Sequence, residues 1–417
     1  MYPVLLALII LLFAALTWRD VRTGIFLLFA SLPSYLLRFE LFGVPMTLLE
    51  ALLLACAVIW AMRQLRARAD VRFLGPWTIP LLLFLIAGTL SVFVSLDQTA
   101  ALGVWKAYIL EPILFFVLVR STLTYPRDVD TMLFALGVSA VFISAFAIFQ
   151  VATGLALPIP WDVERRATSV FPYPNAVGLY LGPIIMLGIT ALYRAVREQM
   201  NMRAWFWLIT VVLSVVAITL SETEAAWFAV PAAALVAGLF VPRLRILALP
   251  ILALSVVIVL ATPSLRDKVM LQDYSGQVRI KQWSETIEML KDNPVFGAGL
   301  SGYPIALAPY HTHEEIEIFQ YPHNIVLNIW TELGLLGLIA FLALAIRVAY
   351  ECHVSYCVMR SPFFWLTFGC FAALLEMVIH GLVDVPYFKN DLAMMTFGIL
   401  ALLSWSARYA PRQTPDA

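Results

Sequence analysis

His323 stands directly after a long polar stretch and directly before a strongly apolar one. An imidazole, with an unperturbed pKa of about 6.5, can take a hydroxyl proton at neutral pH. It can equally serve as a plain polar residue at a membrane boundary. Arg279, inside the polar stretch, offers a planar fork of donors that fits a phosphate or a lipid headgroup. Lys281 and Arg166 are lesser candidates for the same anion, and Arg165-Arg166, ahead of Phe171-Pro-Tyr-Pro-Asn175, also read as a solvated pair. His311-Thr-His313-Glu314-Glu315 invites a zinc reading, but no third histidine has ligand-like spacing, so a solvated loop and no metal site is expected.

Further ionisable residues fall where the chain is otherwise apolar: Glu50, Lys106, Glu111, Glu332, Glu376 and His380. Charges at membrane depth are expensive and by default mark a cavity or a pair. Lys106 either snorkels or lines a groove. Glu332 is read as a tie between helices. His380 clusters with Asp384 and Tyr387 at the end of a span, where the group borders a site or makes an ordinary interfacial pairing.

The elements that must hold these residues are membrane helices. The chain is 62% hydrophobic and 13% charged, against roughly 45–50% apolar and about 25% charged for soluble domains. Net charge is zero, which excludes a field for nucleic acid. A span needs about 20 apolar residues, and that ruler marks about thirteen stretches, with twelve as the alternative. They begin near Tyr2, Gly24, Val44, Pro76, Ala100, Thr131, Asn175, Arg203, Ala225, Ile246, His323, Ser361 and Asp391. The Gly24 stretch is short and interrupted by Pro33. The first apolar run has no charged lead and no small-residue cleavage site, so it reads as a helix and not a signal peptide. Cys56, Cys352, Cys357 and Cys370 have no metal spacing and read as structural, free thiols.

Alternate connections hold Arg19/Arg22, Arg63/Arg66/Arg68/Arg72, Arg120/Arg127, Arg194/Arg197/Arg203, Arg243/Arg245, Arg347/Arg360 and Arg408/Arg412. The opposite ones hold little beyond Arg38, Arg165, Arg166 and Lys389. Arginine-rich short loops stay in the cytoplasm. The expected arrangement is one transmembrane domain over 1–417, with a cytoplasmic tail at 409–417 and residues 153–174 and 263–322 facing outward. Within the long segment, Ile280, Trp283, Ile287 and Leu290 recur at helical spacing among Arg279, Lys281, Glu285, Glu288 and Lys291. This predicts an amphipathic helix at the membrane interface, with Trp283 at headgroup depth. Gly297-Ala-Gly299-Leu-Ser-Gly302 follows; turn chemistry explains it better than a phosphate loop.

Arg279 with Trp283, Asn293-Pro-Val-Phe-Gly-Ala-Gly-Leu-Ser-Gly-Tyr303, His323-Asn324 and Glu332-Leu-Gly334-Leu-Leu-Gly337 together resemble the O-antigen ligase/polymerase family of bacterial envelope glycan enzymes. Weaker echoes lie at Arg166 to Gly178 and Ser221 to Trp227. The resemblance implies an all-α, GT-C-like membrane glycosyltransferase in the cell inner (cytoplasmic) membrane, with its site toward the periplasm or outside. Such enzymes move a glycan from an undecaprenyl-pyrophosphate carrier to a hydroxyl of a lipid-core, glycan or protein acceptor, inverting and without metal or other cofactor. The family's base maps to His323, beside Asn324, and its loop arginine to Arg279. Arg166, Lys106, Lys281, Trp283 and His380 follow as substrate-binding candidates. Glu224 is a departure, since many relatives carry an arginine there; Glu222 and Glu224 are expected to bond sugar hydroxyls or pair with an arginine. A lipid-linked glycan transporter (flippase) and a catalytically degenerate member are the rival readings.

Overall fold

The computed structural model describes residues 2–41, 43–67, 74–313, 315–357 and 363–409. Arg68, Arg72, Glu314, Arg360, Ser361, Arg412 and the tail beyond Tyr409, all used in the sequence reading, lie outside the described residues. Helices dominate: α1 (Tyr2–Arg19), α2 (Val21–Ala30), α3 (Leu48–Ala67), α4 (Thr78–Val94), α5 (Gln98–Trp105), α6 (Glu111–Thr122), α7 (Pro126–Thr153) and the short α8 (Trp161–Glu164). Then come α9 (Asn175–Arg197), α10 (Asn201–Leu220), α11 (Glu224–Leu239), α12 (Pro242–Ala261), α13 (Pro263–Val269), α14 (Tyr274–Asp292) and α15 (Tyr303–Leu307). The chain closes with α16 (Ile325–Cys357), α17 (Phe364–His380) and α18 (Asn390–Tyr409). Among the described residues the extended structure is one hairpin, β1 (Arg38–Leu41) against β2 (Val44–Thr47), with Arg38 opposite Thr47.

Eight helical stretches among the described residues are long and apolar enough to cross a membrane, and shorter apolar helices accompany them. The protein is an all-α polytopic membrane bundle. The shortest expected span has a particular build. The helix α2 has ten residues and is followed by a 3₁₀ turn at Leu32–Leu36 containing Pro33. Laid end to end these reach at most about 25 Å, short of a bilayer core of about 30 Å. A broken span of this kind survives where protein surrounds it, and Ile25, Leu28, Phe29 and Leu32 are all fully buried.

The bundle is built around α9. Its span is 83% buried, against 6% for α12, which presents apolar side chains on nearly every side as a lipid-facing helix does. The buried helix admits close neighbours through glycine: a Cβ at Gly182 would lie 2.3 Å from Glu376 Oε1. Arginines collect at one end, where Arg408 donates to the Arg120 carbonyl and Arg347 pairs with Glu351. Among the described residues, 263–322 carry the helices α13, α14 and α15 and a 3₁₀ turn at Ala308–Tyr310.

The helix α16 is broken at Gly334, whose φ of 66° and ψ of −166° belong to a region open essentially to glycine alone. The break frees backbone groups that hydrocarbon cannot satisfy. The glycine-rich segment 293–302 satisfies them instead. Ala298 N–H donates to the Thr331 carbonyl at 2.7 Å, and Leu335 N–H to the Val295 carbonyl at 2.8 Å. Trp330 Nε1 donates to the Pro294 carbonyl, and Glu332 accepts the Ser301 N–H at 2.7 Å. The glycines therefore serve turns and close approach, and Glu332 ties the segment to the bundle.

A Cβ at Gly334 would lie 2.4 Å from the Val295 carbonyl oxygen, whereas one at Gly103 in α5 meets nothing within 4 Å. Gly334→Ala is therefore expected to lower stability by at least about 1–3 kcal/mol from backbone strain alone. Thermal unfolding in detergent checks this: the midpoint falls for Gly334→Ala and is unchanged or raised for Gly103→Ala.

Candidate functional site

The site forms where two short connections meet at the end of the bundle. Residues 323–325 lie against residues 381–384. Ile325 N–H donates to the Gly381 carbonyl at 2.7 Å, and Asn324 Nδ2 to the Leu382 carbonyl at 3.0 Å. Asn324 Oδ1 meanwhile accepts the N–H groups of Val326 and Leu327, so it caps α16 in the manner expected of Asn. His323 takes a φ of 48°, a left-handed conformation that costs energy in a non-glycine residue and tends to cluster at functional sites. Its Nδ1 faces Asp384 Oδ1 at 3.4 Å.

Asp384 is 2% exposed, and its carboxylate also meets Val385 N–H at 2.8 Å and Asn175 Nδ2 at 3.4 Å. Burial pushes this carboxyl up. The bond and charge of His323, the charge of His380 and the Val385 N–H outweigh that and hold it at about 2. With Nδ1 turned to a carboxylate, the imidazole keeps a lone pair on Nε2. His323 remains partly exposed, flanked by Tyr321 at 4.8 Å and Phe319 at 5.3 Å between ring centroids. A buried carboxylate orienting a partly exposed imidazole is an arrangement for general-base chemistry.

One face of α14 fixes both members of this pair. Arg279 Nε donates to the Val383 carbonyl at 2.9 Å, immediately before Asp384. Gln282 Nε2 donates to the Tyr321 carbonyl at 3.0 Å and Trp283 Nε1 to the Pro322 carbonyl at 2.7 Å, immediately before His323. Residues three and four apart share a helix face, so three side chains of a single turn hold the two backbones. The helix is amphipathic, as its sequence predicts. Trp283 points its indole N–H into the protein. The buried face carries Gln282, Glu285, Thr286 and Met289, while Ile280 and Ile287 are exposed. Polar side chains go inward here because they have backbone carbonyls and loop N–H groups to satisfy.

His323, Arg279, Trp283 and Asn324 thus come together, and Asn175 from the Pro-Asn segment joins them. Other expected site residues are committed elsewhere. Arg166 donates to the Ser221 and Glu222 carbonyls, pairs with the Glu222 carboxylate at 3.6 Å and lies over Trp161. Glu224 pairs with Lys268 and not with an arginine, because α13 places that ammonium over the turn. Lys281 pairs with Glu315 at 2.7 Å and Lys106 with Glu50 at 2.7 Å. His380 does not border the open site: it is fully buried, with Nδ1 on Glu376 at 3.2 Å.

His311 has both ring nitrogens on protein partners, Glu285 and the Ile316 carbonyl. Among the described residues no group of three or more His, Cys, Asp or Glu side chains is placed to hold a metal. Cys56, Cys352 and Cys370 are free; the Cys357 side chain lies outside the described residues. The sequence reading passed over Gln282, which carries no charge to draw notice, and named Asp384 with His380 and Tyr387 as a group bordering a site or making an interfacial pairing, without linking it to His323.

An apolar cleft of about 240 Å³ begins beside the pair, at Ile325 and Pro386, and runs along α16 to Val348 and Ala349 with Phe84, Leu375 and Phe397 in its walls.

The chain is thus a polytopic helical bundle with a glycine segment folded against a broken helix and an imidazole–carboxylate pair beside it. The family model described as O-antigen ligase matches residues 209–342, from α10 through the break in α16. Over that third of its length the chain is similar to the O-antigen ligase family, as the Arg279 to Phe341 pattern implies, and the match supports a role of the ligase/polymerase type in general. That role involves a lipid-linked glycan and an acceptor in a membrane. No curated protein matches the chain.

Trp283→Phe keeps the ring but leaves the Pro322 carbonyl without its donor, at a cost of about 1–3 kcal/mol. Hydrogen exchange of residues 321–325 is expected to accelerate in this variant while exchange in α9 is unchanged. The lowered Asp384 carboxyl stabilises the fold fully above its unfolded value of 3.8 and loses that contribution as pH falls toward about 2. The excess in thermal midpoint of wild type over Asp384→Asn is therefore expected to be constant down to roughly pH 5 and to vanish toward pH 2.

Proposed function

We propose that the protein is an inverting, metal-independent glycosyltransferase that moves a glycan from undecaprenyl pyrophosphate to an acceptor hydroxyl, as ligase or polymerase. The reading rests on one observation above all: the His323–Asp384 pair stands next to Ile325 and Pro386, which line an apolar cleft along α16 and α17. In this reading the acceptor hydroxyl gives its proton to His323 Nε2 as its oxygen attacks the anomeric carbon. The bond from that carbon to the diphosphate oxygen breaks on the opposite face, and the diphosphate leaves with the electron pair. Asp384 stabilises the imidazolium that forms.

Arg279 faces the same place. Its Nε is held by Val383 and its Nη1 by Ser275, so the guanidinium is preoriented and its remaining donor edge is directed by the fold. Such a fixed cation stabilises developing negative charge on a leaving group without reorganising. The Glu224 departure does not put an uncompensated negative charge here, because Lys268 neutralises it. Topologically, arginines at the opposite end favour a cytoplasmic location for that end and a periplasmic or external one for the pair, in the cytoplasmic membrane.

His323→Ala is expected to lower transfer from lipid-pyrophosphate donor by about 10²–10⁴-fold while donor binding persists. Full transfer by the purified variant overturns the proposal. Flipping of the lipid-linked glycan in liposomes by a protein without transfer activity favours a transporter instead.

A further inference from the structure

A second cavity, of about 270 Å³, lies between α7, α9, α10 and α17, at the end of the bundle where arginines collect. Asp130, Phe134, Arg194, Arg203, Trp207 and Trp365 stand in its walls. It is open to the outside, since 51% of the Arg203 side chain is exposed and Phe134 is exposed beside it. Two guanidiniums share one carboxylate here. Asp130 Oδ1 accepts from Arg194 Nη1, and Asp130 Oδ2 accepts from Arg203 Nη1 at 2.6 Å. Arg194 Nε is taken by Glu198, which is outside the cavity wall, and the same guanidinium lies 4.6 Å over the Trp365 ring.

Arg203 is only half spent. Its Nη1 serves Asp130 and meets Met200 Sδ, while among the described residues its Nε and Nη2 have no partner. Those two donors are one edge of a planar fork, which fits two oxygens of a phosphate. Asp130 has both oxygens engaged, so the wall carries one positive charge in excess, matching the single negative charge of a phosphodiester. Ligand pockets usually measure about 300–1,000 Å³, so this cavity suits a headgroup and not a whole lipid. The adjoining surface provides for the remainder. Phe134, Val138 and Phe142 follow at spacings of four along α7, and all three are exposed. Residues four apart share a helix face, so an apolar stripe leads from the cavity toward the middle of the bundle. Free phosphate has no use for that stripe, whereas an acyl chain does.

We propose that this cavity binds the phosphodiester headgroup of a membrane phospholipid. The phosphate accepts from Arg203 Nε and Nη2, the glycerol packs against Phe134 and Trp207, and an acyl chain follows Phe134, Val138 and Phe142 along α7. Basic pockets between membrane helices take lipid headgroups in this way. The lipid ties α10 to α7 and α9, and because it binds the folded protein alone it stabilises the bundle. The site stands apart from the His323–Asp384 pair and does not depend on the proposed function.

The test uses the full-length protein, purified free of lipid in a maltoside detergent, with three probes. These are dioleoylphosphatidylglycerol, dioleoylglycerol with the same chains and no phosphate, and inorganic phosphate. Binding is read from the rise in unfolding midpoint with probe concentration. Phosphatidylglycerol is expected to raise the midpoint of wild type, and the other two to raise it far less at equal concentration. A rise as large with dioleoylglycerol overturns the phosphate contact, and one as large with inorganic phosphate overturns the lipid. Arg203→Gln is expected to bind phosphatidylglycerol about 10- to 100-fold more weakly than wild type. Arg243→Gln, at an exposed arginine of the same end, is expected to bind it as wild type does. Equal affinity of wild type and Arg203→Gln overturns the proposal, and so does an equal loss in Arg243→Gln, which marks a general effect of charge. Should Arg203→Gln not fold, Thr131→Trp fills the cavity from an exposed position in its wall and leaves every charge in place. The same loss is expected in it, and unchanged affinity overturns the proposal.

Discussion

Backbone N–H and C=O groups at membrane depth have no water to bond, and an unpaired one costs several kcal/mol. Regular helices meet this constraint by themselves. The irregular segments of this protein meet it only by pairing with one another. The break at Gly334 is satisfied by residues 293–302, and the connection 381–384 is satisfied by 323–325. The side chains of α14 take the carbonyls left over. Each irregular piece is therefore held in place by another, and the His323–Asp384 pair sits at the point where they meet. Its geometry is a consequence of backbone accounting as much as of side-chain chemistry.

Charge follows the same economy. Net charge is zero, and among the described residues many carboxylates are paired locally with a cation. Exposed pairs of this sort contribute little to stability, a median of about 0–1 kcal/mol. Their consequence is selectivity: they remove Arg166, Lys106 and Lys281 as free anion binders. Arg279, held by bonds to Val383 and Ser275, is the cation that the fold sets beside the connection carrying Asp384.

Much was legible in the residues themselves. Long apolar stretches dictate membrane helices because hydrocarbon tolerates little else, and arginine spacing sorts the two ends of the bundle. Gly334 and the 297–302 glycines announced irregular backbone, and the pattern from Arg279 to Phe341 pointed to the family. Helical periodicity placed Arg279, Trp283 and Glu285 on one helix. It did not show which backbone groups that helix would hold, because the carbonyls of Tyr321, Pro322 and Val383 come from two distant connections.

What the sequence by itself determined was the class of structure, since membrane helices follow from local composition and spacing. Tertiary structure alone decided who meets whom. Asp384 lies 61 residues from His323 along the chain, and the Lys389 ammonium lies over the rings of Tyr35, Phe171 and Tyr173. No local pattern encodes such meetings. They arise because buried donors and acceptors far apart in sequence must find each other when lipid offers them nothing else.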